Sequence, residues 1–314
     1  VTEHAGSGQP PAADQLAALL AAGERAAFHG PPGAAVAELE KAVVLAQKSG
    51  RRAEVTAAAW LLGVALSAGG RYGGALRVLL PLVDAGESTT AAETRLFAAF
   101  AAATAASVHR GLGRHPAAEM LDQRGLALAG GQAEAEFDAR LGLASDAVGQ
   151  QDLDAARASY ARAEALVAAH DDGWWRQRVR LEWARAEIAL LADDPDEAGI
   201  AAAASVEQAE RARAPRHVAK GLLFQGVAEV SGGHPEAPAT LRRAATLAEG
   251  LSALPVAWQA RALLGALLAG SAAEESARSL AAARSAVLTI AADLPAELRE
   301  EWLARPNVSA LLEG

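Results

Sequence analysis

Apolar residues in this chain recur three and four positions apart, in long Ala- and Leu-rich stretches, which is the period of an amphipathic helix. Runs rich in Val, Ile, Thr and Tyr, which would favour strands, are nearly absent. Short punctuations of Gly, Pro and Asp separate the stretches: GPPG at 30–33, GGRYGG at 69–74, GLGRHP at 111–116, GQQDLD at 149–154, DDPDE at 193–197, GGHPE at 232–236 and GSAAEE at 270–275. Such clusters break helices because Gly reaches backbone angles closed to other residues and Pro lacks the amide that would continue the ladder. They return at roughly forty-residue intervals, the period of a two-helix unit. The pattern predicts seven helical hairpins, at about 12–50, 52–87, 90–131, 133–171, 173–214, 216–251 and 253–293. Residues 1–11, VTEHAGSGQPP, show no apolar period and are expected to form a disordered lead.

Within the hairpins a small residue of the first helix stands twelve positions before a small residue of the second. The pairs are Gly63 and Ala75, Ala106 and Ala118, Ala144 and Ala156, Ala186 and Ala198, and Gly265 and Ala277. Gly226 precedes Pro238 by the same interval, a departure from the pattern. Small side chains at a crossing let two helix backbones approach closely. This spacing, with second-helix starts such as RHPAAEML, QDLDAARASY and HPEAPATLRRA, resembles the tetratricopeptide repeat, whose unit of about 34 residues is slightly shorter. The degenerate units are similar to the repeat blocks of actinobacterial regulatory proteins, which are often fused to a DNA-binding or ATPase domain. The resemblance implies an all-α, right-handed α-solenoid over 12–293, with first helices lining a concave groove. A capping segment is expected at 294–314, where Leu294, Leu298, Trp302 and Leu303 share one helical stripe.

Composition agrees with the helical reading. Alanine, the strongest helix former, supplies more than a quarter of the residues, and aromatics only 4%. There is no cysteine, which excludes disulfides, thiolate–metal ligation and thiol nucleophiles. No apolar stretch is long enough to span a membrane without Arg, Glu or Gly, and the first residues lack a signal-peptide pattern, so a soluble cytoplasmic protein is expected. With a net charge of −9 and no dominant basic domain, direct nucleic-acid binding is not expected.

Candidate chemistry is sparse. AGGRYGG lacks the Lys-Ser/Thr of a phosphate-binding loop and follows no strand. The histidines are scattered without metal-ligand spacing, and the acidic run at 193–197 lacks the ligand alternation of a calcium loop. No metal and no cofactor are expected, and Trp258 and Trp302 read as packing near the cap. The informative segment is WWRQRVRLEWAR at 174–185, which holds three of the chain's six tryptophans. Arg176, Arg180, Trp183 and Glu187 lie on one helical face. By the register of the resemblance, Arg180, Trp183 and Glu187 face the groove, as do Trp60 in the second hairpin and Lys220 in the sixth. A tryptophan beside guanidinium groups suits an anionic or carboxylate-bearing ligand. The alternative is packing, with the arginines paired to Glu182 and Glu187. The family's carboxylate clamp needs Asn on first helices, whereas the single Asn here is Asn307.

Three readings of function follow. The first is an interaction module, a regulatory scaffold that binds a protein or peptide in the groove. The second is a small-molecule or peptide sensor in a transcriptional or signalling pathway, favoured by a tight pocket between Trp174, Trp175, Arg180 and Trp183. The third is an enzyme on a helical frame using Asp138, Glu182, Glu187 or His170, although no spacing singles these out. A non-enzymatic module is the expectation.

Overall fold

In the computed structural model, residues 12–170 and 172–313 are described; the expected disordered lead at 1–11 lies outside them. They form sixteen α-helices and a single 3₁₀ turn, with no strand among the described residues. Fourteen of the helices pair into seven hairpins: α1 (Ala12–His29) with α2 (Pro32–Lys48), α3 (Arg52–Ala68) with α4 (Tyr72–Glu87), α5 (Ala92–Gly111) with α6 (His115–Ala129), α7 (Ala133–Gly149) with α8 (Leu153–Ala168), α9 (Trp175–Leu191) with α10 (Pro195–Arg211), α11 (Pro215–Ser231) with α12 (Ala237–Gly250), and α13 (Leu254–Leu268) with α14 (Ala273–Asp293). Two short helices follow, α15 (Ala296–Leu303) and α16 (Pro306–Glu313). Each helix packs on the next in chain order, so the fold is the expected all-α solenoid. No helix among the described residues is long and apolar enough to cross a membrane.

One device ends most helices that lead into a turn. At the α3–α4 turn the Gly70 amide bonds to the Ser67 carbonyl and the Arg71 amide to that of Leu66. This doubly bonded cap needs a left-handed residue, and Gly70 supplies it at φ 82°. Gly113 does the same at φ 73° before α6. In four other turns Gln151, Asp193, Arg213 and Ser252 take positive φ instead. Asp152 and Asp194 then cap the helices that follow, accepting bonds from the amides of Ala155 and Glu197.

The small-residue crossings hold in four hairpins. Ala75, Ala106, Ala118, Ala144, Ala156, Ala186 and Ala198 are all fully buried, and the side chain of Leu79 occupies the space a Cβ on Gly63 would need. In the last two hairpins the register moves by one. Ala237 and Ser276 are buried where Pro238 and Ala277 were expected, Ala277 is exposed, and the Ser276 hydroxyl donates to the Gly265 carbonyl at 2.7 Å. The interval from Gly226 to Ala237 and from Gly265 to Ser276 is eleven rather than twelve, in the two hairpins whose turns differ in length from those before α4, α6, α8 and α10.

The solenoid turns back on itself. In a linear repeat array each unit touches only its neighbours. Here Arg216 of α11 donates to the Ala27 carbonyl near the end of α1 at 2.8 Å, and Arg176 of α9 lies over the Phe28 ring at 4.9 Å. Further along the same seam, Asp293 at the end of α14 accepts a bond from the Gly74 amide in the first turn of α4 at 2.8 Å. Any side chain on Gly73 would collide with the Asp293 carbonyl. Arg114 pairs with Glu301 at 3.1 Å. Trp302, Val308 and Leu311 join the apolar cluster of Tyr72 and Leu112, and Trp302 meets Trp258 edge to face at 6.3 Å, the packing role expected of both. The C-terminal helices therefore cover α14 and also weld it to the second and third hairpins.

Candidate functional site in the charged interior

Closure changes what the first helices face. Instead of an open concave groove, α5, α7, α9 and α11 enclose an interior, and the end of α1 covers it. Ordinary packing would fill such a space with Leu and Val. This chain places charge there.

The residues predicted on α9 separate into two groups. Arg176 and Arg180 both reach Asp138 on α7: Arg180 Nη1 is hydrogen-bonded to Asp138 Oδ1, and Arg176 Nη2 lies 3.8 Å from Oδ2. The arginines thus pair with a carboxylate from the preceding hairpin rather than with Glu182 or Glu187 on their own helix. Glu187 accepts a bond from the Ser145 hydroxyl at 2.8 Å. Trp183 leaves this group and stacks on His217 of α11, with ring centroids 5.4 Å apart. Lys220, one turn on from Arg216, sets its ammonium 4.5 Å from the Trp183 ring centroid. Trp175 closes the group, 5.2 Å edge-on to His217 and 5.2 Å from His29 of α1.

Two expected members lie elsewhere. Trp60 stacks on Phe100 at 4.8 Å and donates its indole N–H to Thr104 at 3.2 Å, inside an aromatic cluster between α3 and α5. Trp174 stacks on His170 at 3.9 Å and packs with Phe137, Val167 and Leu181, so it does not share a pocket with Trp175 and Trp183.

The electrostatics around His217 are one-sided. Burial pushes its imidazole pKa well below the usual histidine range, and Arg216, Arg176, Arg180 and Lys220 push it the same way. Burial also lowers Lys220, to about 8; Glu187 opposes this, while Arg180, Arg110 and Arg216 reinforce it. Arg216 falls to about 10 through burial and the nearby Arg176. Against these four cations stand Asp138, already shared by two arginines, and Glu187, which is not in ion-pair contact with Lys220. Glu134 and Glu24, both exposed, act on Arg176 from the rim. Three buried atoms are also without a hydrogen-bond partner: Arg216 Nε, Trp183 Nε1 and His217 Nδ1.

A second charged cluster lies between α5, α6 and α7. Arg110 Nη1 donates to Asp122 at 2.5 Å, to Asp146 at 3.0 Å and to the Gly142 carbonyl at 3.3 Å. Both aspartates are fully buried. Burial raises Asp122 well above the usual carboxylate range; Arg110 opposes this and Asp146 adds to it.

Sequence reasoning did not single out Arg110, Asp122, Asp146, Arg216 or Phe28. One signal was present. Arg110 and Asp122 are twelve apart, the interval of the small pairs, one helical turn beyond Ala106 and Ala118. Arg185 and Glu197 repeat it and are paired at 2.5 Å.

The candidate acids and bases do not converge. Asp138 is engaged by arginines, Glu182 by Arg185, and His170 by the Leu166 carbonyl at 2.7 Å. Among the described residues no group of three His, Asp or Glu could hold a metal ion. Two surface clefts, about 470 Å³ between α1 and α2 and about 360 Å³ between α12, α13 and α14, are open; their charges are exposed or paired with one another. The interior therefore remains the stronger candidate.

The chain matches no protein-family model and no curated protein. Among solved structures it is similar to a Rap protein complexed with competence and sporulation factor, with a TM-score of 0.63 and 12% sequence identity over 95% of this chain and 80% of that one. At that identity the likeness is one of fold: a tetratricopeptide-like helical-repeat solenoid.

Proposed function

We propose that the chain is a regulatory interaction module that receives a segment of a protein or peptide partner in its interior, against the first helices of the repeats. The observation that carries this reading is the cation-rich interior at α9 and α11, where Lys220 and Arg216 have no carboxylate in ion-pair contact. Uncompensated charge inside a protein is costly, so a chain that keeps it there gains most when a partner supplies the opposite charge. The Rap protein supports the reading as a solenoid of this shape complexed with a factor. A small-molecule or peptide sensor is the second reading, favoured by ring closure: a ligand at the seam of α1, α9 and α11 would bias the ring toward the closed form. Arg176, Arg180, Trp183, Glu187 and Lys220 are the proposed contact residues. The proposed setting is the cytoplasm, with no catalytic step, no cofactor and no direct contact with nucleic acid.

The test is native mass spectrometry of the protein from its source cells, followed by crosslinking of whatever remains bound. Crosslinks from the partner to α5, α7, α9 and α11, lost in an Arg180→Gln/Trp183→Phe variant of unchanged helicity, are the expected result. Crosslinks confined to the second helices would overturn the reading.

A further inference from the structure

We propose that the seam between α1, α9 and α11 holds an anion-binding subsite, in which Lys220 Nζ, Arg216 Nε and the indole N–H of Trp183 take an oxyanion, carboxylate or phosphate, beside His217. It rests on the reading of the interior as the binding surface and adds the chemistry of what binds there.

Three independent features point to it. The first is charge: Arg176, Arg180, Arg216 and Lys220 all act on His217, and only Asp138 and Glu187 answer them from within. The second is unused donors. Arg216 spends Nη2 on the Ala27 carbonyl, but its Nε is buried without an acceptor, and so is Trp183 Nε1. Lys220 faces aromatic rings, 4.5 Å from the centroid of Trp183 and 5.6 Å from that of Phe224, with no hydrogen-bonded acceptor among the described residues. Buried donors in folded proteins are almost always satisfied, so the unpaired donors on Arg216 and Trp183, one acting on His217 and the other stacked against it, call for an acceptor. The third is the lining. Trp175, Trp183, His217 and Phe224 set rings against the half-buried cations, and a charge-assisted hydrogen bond to an oxyanion is stronger there than in bulk water.

The division of labour is readable. Arg176 and Arg180 are occupied by Asp138, so they supply field. Glu187, held by Ser145, is the internal competitor for Lys220. The subsite also sits on the seam, since Arg216 holds α1 through Ala27 and Trp175 meets His29. An anion that fixes Arg216 and Lys220 therefore also steadies the closing contact.

Two calorimetric titrations test this on the full chain, one with inorganic phosphate and one with succinate. The expected result is saturable one-site binding of either probe, weakened about tenfold or more in Lys220→Met, as for loss of a hydrogen bond to a charged group. Glu187→Gln is expected to tighten binding, because it removes the competing carboxylate. At pH 9 the Lys220 amine is largely neutral, and an anion restores its proton. Binding there is expected to take up a proton, seen as a dependence of heat on buffer ionisation enthalpy that Lys220→Met abolishes. Binding of phosphate alone assigns the site to phosphorylated ligands, succinate alone to carboxylates, and both to a general oxyanion pocket; each supports the subsite. Binding of neither probe overturns it, as does binding that neither variant alters. If Lys220→Met fails to fold, the Glu187→Gln arm decides alone, and failure to tighten overturns the proposal. Interior crosslinks to a partner without oxyanion binding would remove the subsite and leave the module reading in place. Oxyanion binding without such crosslinks would do the reverse.

Discussion

The two charge clusters of this molecule both draw on first helices of the repeats, yet they differ in sign: one is short of donors, the other of acceptors. In the third and fourth hairpins Arg110 stands between Asp122 and Asp146, and all its bonds are to partners in its own or the next unit. In the fifth and sixth hairpins four cations share two carboxylates, and donors on Arg216 and Trp183 are left over. The first cluster binds its one cation to two aspartates, leaves Asp122 Oδ1 and Asp146 Oδ1 without a hydrogen-bond donor, and works as a fastener between neighbouring hairpins. The second is short of acceptors and lies where the ring closes.

Removing one member should therefore have opposite effects in the two places. Arg110→Met leaves two buried aspartates without their cation, and the expected cost is about 3–5 kcal/mol, as for breaking a buried ion pair from one side. Denaturant unfolding measures it. A midpoint within error of the parent would show that the cluster is not a fastener, and the contrast with the seam would collapse.

Acid should separate the clusters next. His217 has a folded pKa well below its unfolded value of about 6.5, so the unfolded chain binds the extra proton as pH falls. Its contribution is intact above about 6.5 and is lost below it, by up to about 1.4 kcal/mol per pH unit. His217→Phe keeps a ring against Trp183 and should flatten that slope. Asp122 has the opposite sign. Its folded pKa is raised, so its unfavourable contribution is relieved as pH falls through that value, and Asp122→Asn should make acid loss steeper. Stability measured at several pH values between 7 and 5 reads both slopes; two variants that shift in the same direction would refute the assigned environments.

The third contrast concerns Lys220. Its folded pKa of about 8 lies below the unfolded value of about 10.4, so at pH 7 the charged form burdens the folded state. Lys220→Met should raise stability at pH 7 by about 1 kcal/mol, the lost cation–π contact offsetting part of the gain. The gain should shrink as pH rises from about 8 toward 10.4, because lysine then loses its charge in both states. Destabilisation comparable to that of Arg110→Met would mean that the charge of Lys220 is compensated within the chain.

Much of the fold was legible because it is repetitive. Gly, Pro and Asp punctuation placed every hairpin, and the small pairs placed the crossings wherever the turn had the common length. The register of Ala277 was not legible, since α13 ends three residues after Gly265, sooner than α3 ends after Gly63, and the buried partner becomes Ser276. Nor were the left-handed positions of Gln151 and Arg213, residue types that favour no such conformation. For the interior, helical spacing put Arg176, Arg180, Trp183 and Glu187 on one face, and the structure turns that face inward. It could not show that Asp138 would come from another hairpin, or that α1 would return across the ring, because both depend on the superhelical path summed over many units. Trp60 marks the limit of register reasoning: its neighbours are Phe97 and Phe100 rather than cations.

That placement of Trp60 yields the smallest effect and the sharpest control. Trp60→Phe keeps a ring against Phe100 and gives up the bond to Thr104, so a loss of about 1 kcal/mol is expected, the size of one neutral hydrogen bond. Thr104 is not stranded, because its hydroxyl also donates to the Phe100 carbonyl at 2.8 Å. Phosphate and succinate should bind this variant as they bind the parent, since no cation of the seam touches Trp60. If Trp60→Phe weakened oxyanion binding as Lys220→Met does, the aromatic cluster of α3 and α5 would belong to the same surface as the seam, and the interior would be one continuous binding face rather than two regions with separate tasks.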